Sequence, residues 1–473
     1  MRIQLLVLLL ITTISTSTMT TFEEDLSFRI LSDGTSIERI YTFVREDKNV
    51  EDTYTLRMSS GQWLKRWGPS SFSLPPGASL AASFDSNAEE DLEKKWKSLK
   101  SEVGGLYCTS LSMIGDTHTV REDEKKKYHF ANVVPSSNEK NERRFYGVLP
   151  KEALCTENLT PWLNMLPCRD SSGIASTIDP LKIFSNPYYA ITIEVNAKRN
   201  LVTQRLVTVS TSFNDDDDDD YDAALSPCEV STRSTVQDLN SRTIRDLIKK
   251  TNVEATQKEH IEKPSFSFTR HAVQVGVSGK GLETLITNHD LNRTFSVTYS
   301  DFVPWFLKLK YHTLRVIVGS VDITETLWEN RDSDLYVRTA KHRGRPAVSE
   351  IQLNIPPLTT ARVSIEYDLA FLAFPEFPPD PNRGFDVPSA LLTVSTDDGD
   401  EQQHQHVFYT GSTIVMVPLP DFSMPFNVLT LTSSIIAFFF GHVFNLFTRK
   451  RDLFPEKMKK KTWFGFCGKD KSD

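Results

Sequence analysis

Cysteines are the side chains here with the most chemistry to offer. Four of the five, Cys108, Cys155, Cys168 and Cys228, lie in the first half of the 473-residue chain, and Cys467 stands alone near its end. A thiol serves as nucleophile, metal ligand or disulfide partner, and the redox compartment decides which. In an oxidising compartment four cysteines allow three fully paired connectivities, and spacing does not choose among them. The ten histidines are scattered. His404 and His406 form the one close pair and read as an exposed loop pair rather than part of a metal site. No H-E-x-x-H, phosphate-cradling glycine loop or G-x-S-x-G elbow occurs, and Gly276-Val-Ser-Gly279 is too degenerate to mean more than a turn. A Cys–His nucleophile would be recognisable only in the fold. On residues alone the chain reads as a binding or scaffold protein that needs no cofactor. Asn158-Leu-Thr160 and Asn292-Arg-Thr294 are sequons for glycan attachment, Asn292 the better one because Pro161 follows the other.

Two hydrophobic segments decide where these residues work. Met1–Thr21 has an early Arg2, an apolar run from Ile3 to Ile14 and small residues after it, which is the pattern of a signal peptide. Phe426–Phe447 runs for 22 residues without Asp, Glu, Lys or Arg, long enough to cross a bilayer. From Arg449 onward nine Lys/Arg face four acids, a balance that marks the cytosolic side of a membrane helix. The whole chain carries 54 Lys/Arg against 62 Asp/Glu, a net charge of −8, which argues against nucleic acid as a partner. These features predict a type I membrane glycoprotein of the secretory pathway.

The expected fold class is mainly β: two β-sandwich-like luminal domains with a few helices, plus one C-terminal transmembrane helix. The expected divisions are a signal peptide (1–21), an N-terminal β-rich domain (22–213), an acidic and polar linker with a possible helix (214–264), a second sandwich (265–424), the span (425–447) and a basic tail (448–473). Short alternating runs such as Ser36–Val44 and Arg362–Leu369 read as strands. One helix is expected over Asn87–Val103, with Leu92, Trp96, Leu99 and Val103 at helical spacing and Gly104-Gly105 to end it. A second is expected over Val236–Lys250. The six consecutive acids Asp215–Asp220 read as a solvated loop, since a calcium site needs carboxylates spaced by a turn.

Several motifs resemble one family closely, the phosphatidylinositol-glycan class T (PIG-T) subunit of the GPI transamidase. They are Arg66-Trp-Gly-Pro69, Cys155-Thr-Glu-Asn-Leu-Thr-Pro-Trp162 with Leu166-Pro-Cys168, Val303-Pro-Trp305 with Tyr311-His-Thr-Leu314, Pro379-Asp-Pro-Asn-Arg-Gly-Phe385, and Pro420-Asp-Phe-Ser-Met-Pro-Phe-Asn427. The resemblance thins between about Asp170 and Lys263. It implies a non-catalytic scaffold of the endoplasmic reticulum membrane, in a complex that attaches GPI anchors to proteins. It also implies a disulfide from Cys155 to the caspase-like catalytic subunit PIG-K. Other membrane subunits would be partners, with GPI lipid and precursor protein as further contacts. With Cys155 so assigned, Cys168 and Cys228 are expected to pair, and Cys108, in a strand-like Leu106–Ser112, to be buried and reduced. In such a protein Lys469 and Lys471, at −5 and −3 from the end, read as an endoplasmic reticulum retrieval signal. The alternative from another class is a single-pass cell-surface receptor or adhesion protein.

Overall fold

Alternation builds the first strand: Phe22, Glu24, Leu26 and Phe28 are buried while their neighbours are not, the period of a strand with one covered face. A computed structural model of the chain describes residues 22–68, 72, 74–85, 89–122, 142–150, 152–169, 172–210, 228, 231–238, 266–275, 279–331, 333–377, 380–396, 404–419 and 423–449. The first nine strands are β1 (Phe22–Ile30), β2 (Ile37–Glu46), β3 (Thr53–Gly61), β4 (Gly77–Asp85), β5 (Thr119–Arg121), β6 (Glu142–Leu149), β7 (Tyr188–Asn196), β8 (Leu201–Ser210) and β9 (Ser231–Asp238). They form one sheet in the order β5-β6-β4-β3-β7-β8-β2-β1-β9. Its pairs are antiparallel except β1–β9, which is parallel.

Helix α1 (Glu89–Leu106) covers one face of this sheet through Leu92, Trp96, Leu99 and Val103, all buried. Trp96 lies 5.5 Å from the ring of Phe145. Gly147 of β6 makes room for it, since a Cβ there would come within 3.0 Å of the indole and 2.7 Å of Ile114. The helix does not stop at Gly104-Gly105. Gly104 instead permits close packing, because a Cβ would sit 3.0 Å from the carbonyl oxygen of Thr109. Helix α2 (Thr156–Asn164) covers the same sheet, and α3 (Pro180–Ser185) follows it.

The second half contains β10 (Phe266–Val275), β11 (Gly279–Asn288), β12 (Phe295–Val303), β13 (Leu307–Val318), β14 (Val321–Asp322), β15 (Leu335–Arg338), β16 (Ala347–Ile355), β17 (Thr360–Leu369), β18 (Phe385–Val387), β19 (Leu391–Thr396), β20 (His404–Tyr409) and β21 (Thr413–Val415). The short helix α4 (Thr324–Glu329) lies between β14 and β15. Two sheets, β10-β11-β17-β13-β14 and β15-β16-β12-β19-β20, enclose a shared core. Ile286, Val316 and Val363 meet Val297, Ile351, Leu353 and Leu392 there. This half is a sandwich. The mainly β expectation therefore holds, but the first half closes its core with helices laid on a single sheet. β18 and β21 form a separate ribbon.

The halves share a core of their own: Ala81, Val120, Tyr146 and Val148 pack with Phe302, Val348 and Leu391. Tyr146 meets Phe302 edge-on with centroids 5.8 Å apart. Arg338 Nη1 donates to the Arg121 carbonyl at 3.2 Å.

Some expectations shift. Ser231–Asp238, placed in a polar linker with a helix from Val236, is the edge strand β9. Its polarity fits that role, because Ser234 and Thr235 donate hydroxyl hydrogen bonds to Glu24 and Asp25 at 2.7 and 2.5 Å. The rest of the second helix and Asp215–Asp220 lie outside the described residues. His404 and His406 belong to β20, paired with β19, rather than to a loop. Helix α5 (Ser423–Thr448) is apolar and long enough to cross a membrane over Phe426–Thr448. Its Thr430, Thr432 and Ser434 hydroxyls donate to carbonyls of their own helix at 2.7–2.8 Å, so they need no partner helix. The chain divides into two compact units at Val417/Pro418, with α5 in the second.

One buried charge secures the end of the first unit. Arg270 Nη1 meets Asp301 Oδ1 at 2.5 Å with the guanidinium fully buried. Its Nε donates to Thr413 Oγ1 at 3.1 Å and its Nη2 to the Val387 carbonyl at 3.1 Å. Tyr299 donates to the other Asp301 oxygen at 2.9 Å. Removing one partner strands the other charge, a loss of about 3–5 kcal/mol. Arg270→Ala should lower the chemical-denaturation midpoint of the detergent-solubilised chain accordingly; an unchanged midpoint would refute the account.

Candidate interchain disulfide site

The octapeptide from Cys155 to Trp162 divides into three duties once folded. Leu159, Trp162 and Leu163 are buried and seat α2 on the sheet, Trp162 lying edge-on to Tyr41 with centroids 6.5 Å apart. Its Nε1 donates to the Thr192 carbonyl at 3.4 Å, while Gln204 Nε2 donates to the Trp162 carbonyl at 3.3 Å. Thr156, Glu157 and Thr160 face outward. Cys155, extended at φ −123°, is the N-cap of α2.

Asn158 stands three residues later, the capping-box distance. Its Oδ1 accepts from both the Cys155 N–H and the Cys155 thiol, each at 3.0 Å. Its Nδ2 donates to the carbonyls of Tyr107 and Cys108 at 3.0 and 2.8 Å. One amide therefore ties the start of α2 to the turn that ends α1. A second tie runs beside it, where Ser110 N–H donates to Glu152 Oε1 at 2.8 Å. Burial raises the Tyr107 phenol well above its usual range, and its hydroxyl lies 3.3 Å from Met165 Sδ.

Both Cys155 and Cys108 are free and exposed. For Cys108 this corrects the expectation of a buried strand residue. α1 continues to Leu106, so Cys108 falls in the turn beyond it at φ +52°, and Tyr107, Thr109 and Leu111 take the inward places. The same segment exposes two large apolar side chains, Leu106 (48%) and Met113 (74%).

Cys168 lies beyond the other end of α2 and is bonded to Cys228, with Cα atoms 5.9 Å apart across 60 residues of sequence. Closing such a loop stabilises the fold by about 4 kcal/mol in the chain-entropy account. Cys228 leads into β9, and Glu24 braces the junction by accepting from the Ile174 N–H at 3.1 Å and Ser234 Oγ at 2.7 Å. Gly173 at φ +80° is needed here, since a Cβ would come within 3.0 Å of Glu24 and 3.1 Å of Cys228.

The sequons separate. Asn158, expected as the lesser glycan acceptor, is 1% exposed and its amide nitrogen donates to two carbonyls, so in the folded chain it serves as a clamp. Its spacing from Cys155 was the signal for that role. Asn292 is exposed, in the turn between β11 and β12. Asp290 fixes that turn by accepting from the Asn292 and Arg293 N–H groups at 3.0 Å, and those bonds, the Asn292 one first, lower its pKa. Lys469, Lys471 and Cys467 lie outside the described residues. Among the described residues no cluster of three or more His, Cys, Asp or Glu could hold a metal.

Comparison with known proteins supplies the family. A model described as "Gpi16 subunit, GPI transamidase component" matches residues 40–214 and 203–465. The chain belongs to the Gpi16 family. Curated relatives agree. The "GPI-anchor transamidase component PIGT" of Homo sapiens is 28% identical over 480 residues, covering 83% of this chain and 80% of that protein. The "GPI transamidase component PIG-T homolog" of Schizosaccharomyces pombe is 27% identical, covering 77% and 72%. "GPI transamidase component GPI16" of Saccharomyces cerevisiae is 24% identical, covering 84% and 78%. A solved Staphylococcus aureus collagen adhesin aligns at a TM-score of 0.20 and 8% identity over 84% of this chain and 92% of that one, too weak a likeness to carry an argument. The Gpi16 assignment makes the chain a GPI transamidase component and displaces the adhesion-receptor alternative.

The sequon geometry is testable by endoglycosidase digestion of the membrane-expressed chain. Thr294→Ala should abolish the mobility shift. Thr160→Ala, at an exposed position whose hydroxyl donates to the Thr156 carbonyl of its own helix at 2.8 Å, should leave it unchanged; a reduced shift there would mean that Asn158 carries a glycan.

Proposed function

We propose that this chain is the non-catalytic scaffold of the GPI transamidase, anchored in the endoplasmic reticulum membrane by α5 with residues 22–424 in the lumen. Within it we read two luminal domains, 22–213 completed by the edge strand β9, and 265–424. Cys155 forms the interchain disulfide to the caspase-like catalytic subunit, and Cys168 and Cys228 pair within the chain. Asn292 carries the glycan, and Lys469 and Lys471 retrieve the protein to the endoplasmic reticulum. The complex's other membrane subunits, GPI lipid and precursor protein are its further contacts.

The observation that carries this reading is the state of Cys155. It is a free, exposed thiol on backbone fixed by a fully engaged buried amide. Leu106 and Met113 stand exposed on the segment that the amide clamps to it, apolar surface of the kind a protein partner covers. A disulfide needs Cα atoms roughly 4.4–6.8 Å apart, so a partner cysteine must arrive in one docked geometry. A fixed thiol beside apolar side chains suits that requirement. The scaffold role rests on the family and on a sequence that holds none of the enzyme signatures sought.

The test is a non-reducing gel of the membrane-expressed protein, wild type beside Cys155→Ser, with bands identified by mass spectrometry. A heavier band containing this chain and the caspase-like subunit is expected, lost on reduction and lost in the variant. Its persistence in Cys155→Ser would place the bridge elsewhere. A wild-type chain that runs alone would end the covalent-link proposal.

A further inference from the structure

Between β17 and β18 the sequence Ala370-Phe-Leu-Ala-Phe-Pro-Glu-Phe377 makes a surface loop of unusual composition. Its root is fixed. Ala370 N–H donates to the Phe306 carbonyl at 2.8 Å. Leu372 packs on the cluster of Phe306, Leu307, Val387 and Val415, and Phe377 lies edge-on to Phe385 with centroids 6.0 Å apart. The tip is fixed as well, since Glu376 accepts from the Ala373 N–H and from Arg343 Nε, the latter at 2.6 Å. Arg343 in turn lies 6.0 Å from the centroid of Trp305.

On this rigid frame Phe371 is 95% exposed and Phe374 55% exposed. Beside them the turn that holds Arg343 also carries exposed Lys341, His342 and Arg345. The neighbouring ribbon adds Ile414 (47% exposed) and Met416 (55%), both against Gly384, next in sequence to Phe385. Single exposed apolar residues are ordinary on protein surfaces. Two phenylalanines held outward, with cationic side chains beside them, have the make-up of an interfacial anchor: rings enter the headgroup boundary while basic groups meet lipid phosphates. The chain also limits the distance to a bilayer. The first unit ends at Val417 and the membrane-length apolar run begins at Phe426. Eight intervening residues span at most about 30 Å when extended.

We propose that Phe371 and Phe374 insert into the interfacial layer of the membrane that holds α5, with Lys341 and Arg345 directed to its lipid phosphates. The loop then makes a second point of attachment to that membrane. The proposal rests on reading Phe426–Thr448 as a membrane span.

The test uses the full chain in vesicles of phosphatidylcholine and phosphatidylinositol that carry a photoreactive phosphatidylcholine, its diazirine near the glycerol end of the acyl chain. After photolysis, mass spectrometry should find lipid adducts on the Phe371–Phe374 peptide as well as on α5, and none around Leu181, an apolar side chain 80% exposed on the N-terminal half. Phe371→Ser/Phe374→Ser, which alters only exposed positions, should lose the loop adduct and keep those on α5. Adducts on α5 alone overturn the proposal and leave the span intact; adducts on neither overturn both. Crosslinking of the loop to another subunit of the assembled complex, in place of lipid, would assign it to a protein partner and also overturn the proposal.

Discussion

Everything around the exposed thiol depends on one buried side-chain amide. Asn158 accepts twice through Oδ1 and donates twice through Nδ2, and each bond reaches the start of α2 or the end of α1. At 1% exposure neither polar group of the Asn158 amide could turn to water instead, and leaving one unpaired would cost about 1–3 kcal/mol. The two helix ends therefore move as one body. The left-handed backbone of Cys108 is tolerated because its carbonyl is held by this amide. Both free thiols ride on the same rigid corner, while the disulfide holds the far end of α2.

Stiffness continues away from that corner through contacts of different chemistry. Trp162 seats α2 on the sheet, Tyr146 and Phe302 join the sheet to the sandwich, and Arg270 joins the sandwich to the final ribbon. Large aromatic contacts carry the first two links, and a buried charge with each guanidinium nitrogen engaged in a specific pattern carries the third. A buried ion pair adds little net stability, but its geometry admits few alternatives. That suits the last link, where strand order matters more than strength. The proposed scaffold role would need this path to be stiff, since compliance at any link would blur the position of Cys155.

The sequence was legible where one face of an element is wet. β1 and α1 declare themselves because their buried residues recur at period two and at helical spacing. β4 does not, since all of its residues but Asp85 are buried, one face under α1 and the other toward the sandwich, which erases the alternation. β9 reads as linker because its side-chain bonds to β1 run from hydroxyls to two carboxylates and a backbone carbonyl, with no apolar period to betray the strand. Gly104-Gly105 reads as a stop, yet the helix runs on to Leu106 and Gly104 serves packing against Thr109. At the site, the family motif pointed to Cys155, but the sequon at Asn158 concealed a cap, since Asn-x-Thr and Cys-x-x-Asn share the same residue. Only the fold separates an amide that meets solvent from one that meets two carbonyls.

In the proposed bridge, covalent and non-covalent contributions act in sequence. A thiol reaches its partner only within a narrow range of Cα separation, so oxidation follows docking and does not replace it. Leu106 and Met113 offer apolar area for that first encounter, and apolar burial has little directional preference. Direction comes from the fixed α1–α2 corner, which presents the thiol in one orientation. Once formed, the disulfide raises the effective concentration of the docked surfaces, so contacts that would exchange alone persist. In that proposed bridge the exposed patch can stay small, because the bond supplies the permanence that a larger apolar interface would otherwise have to provide.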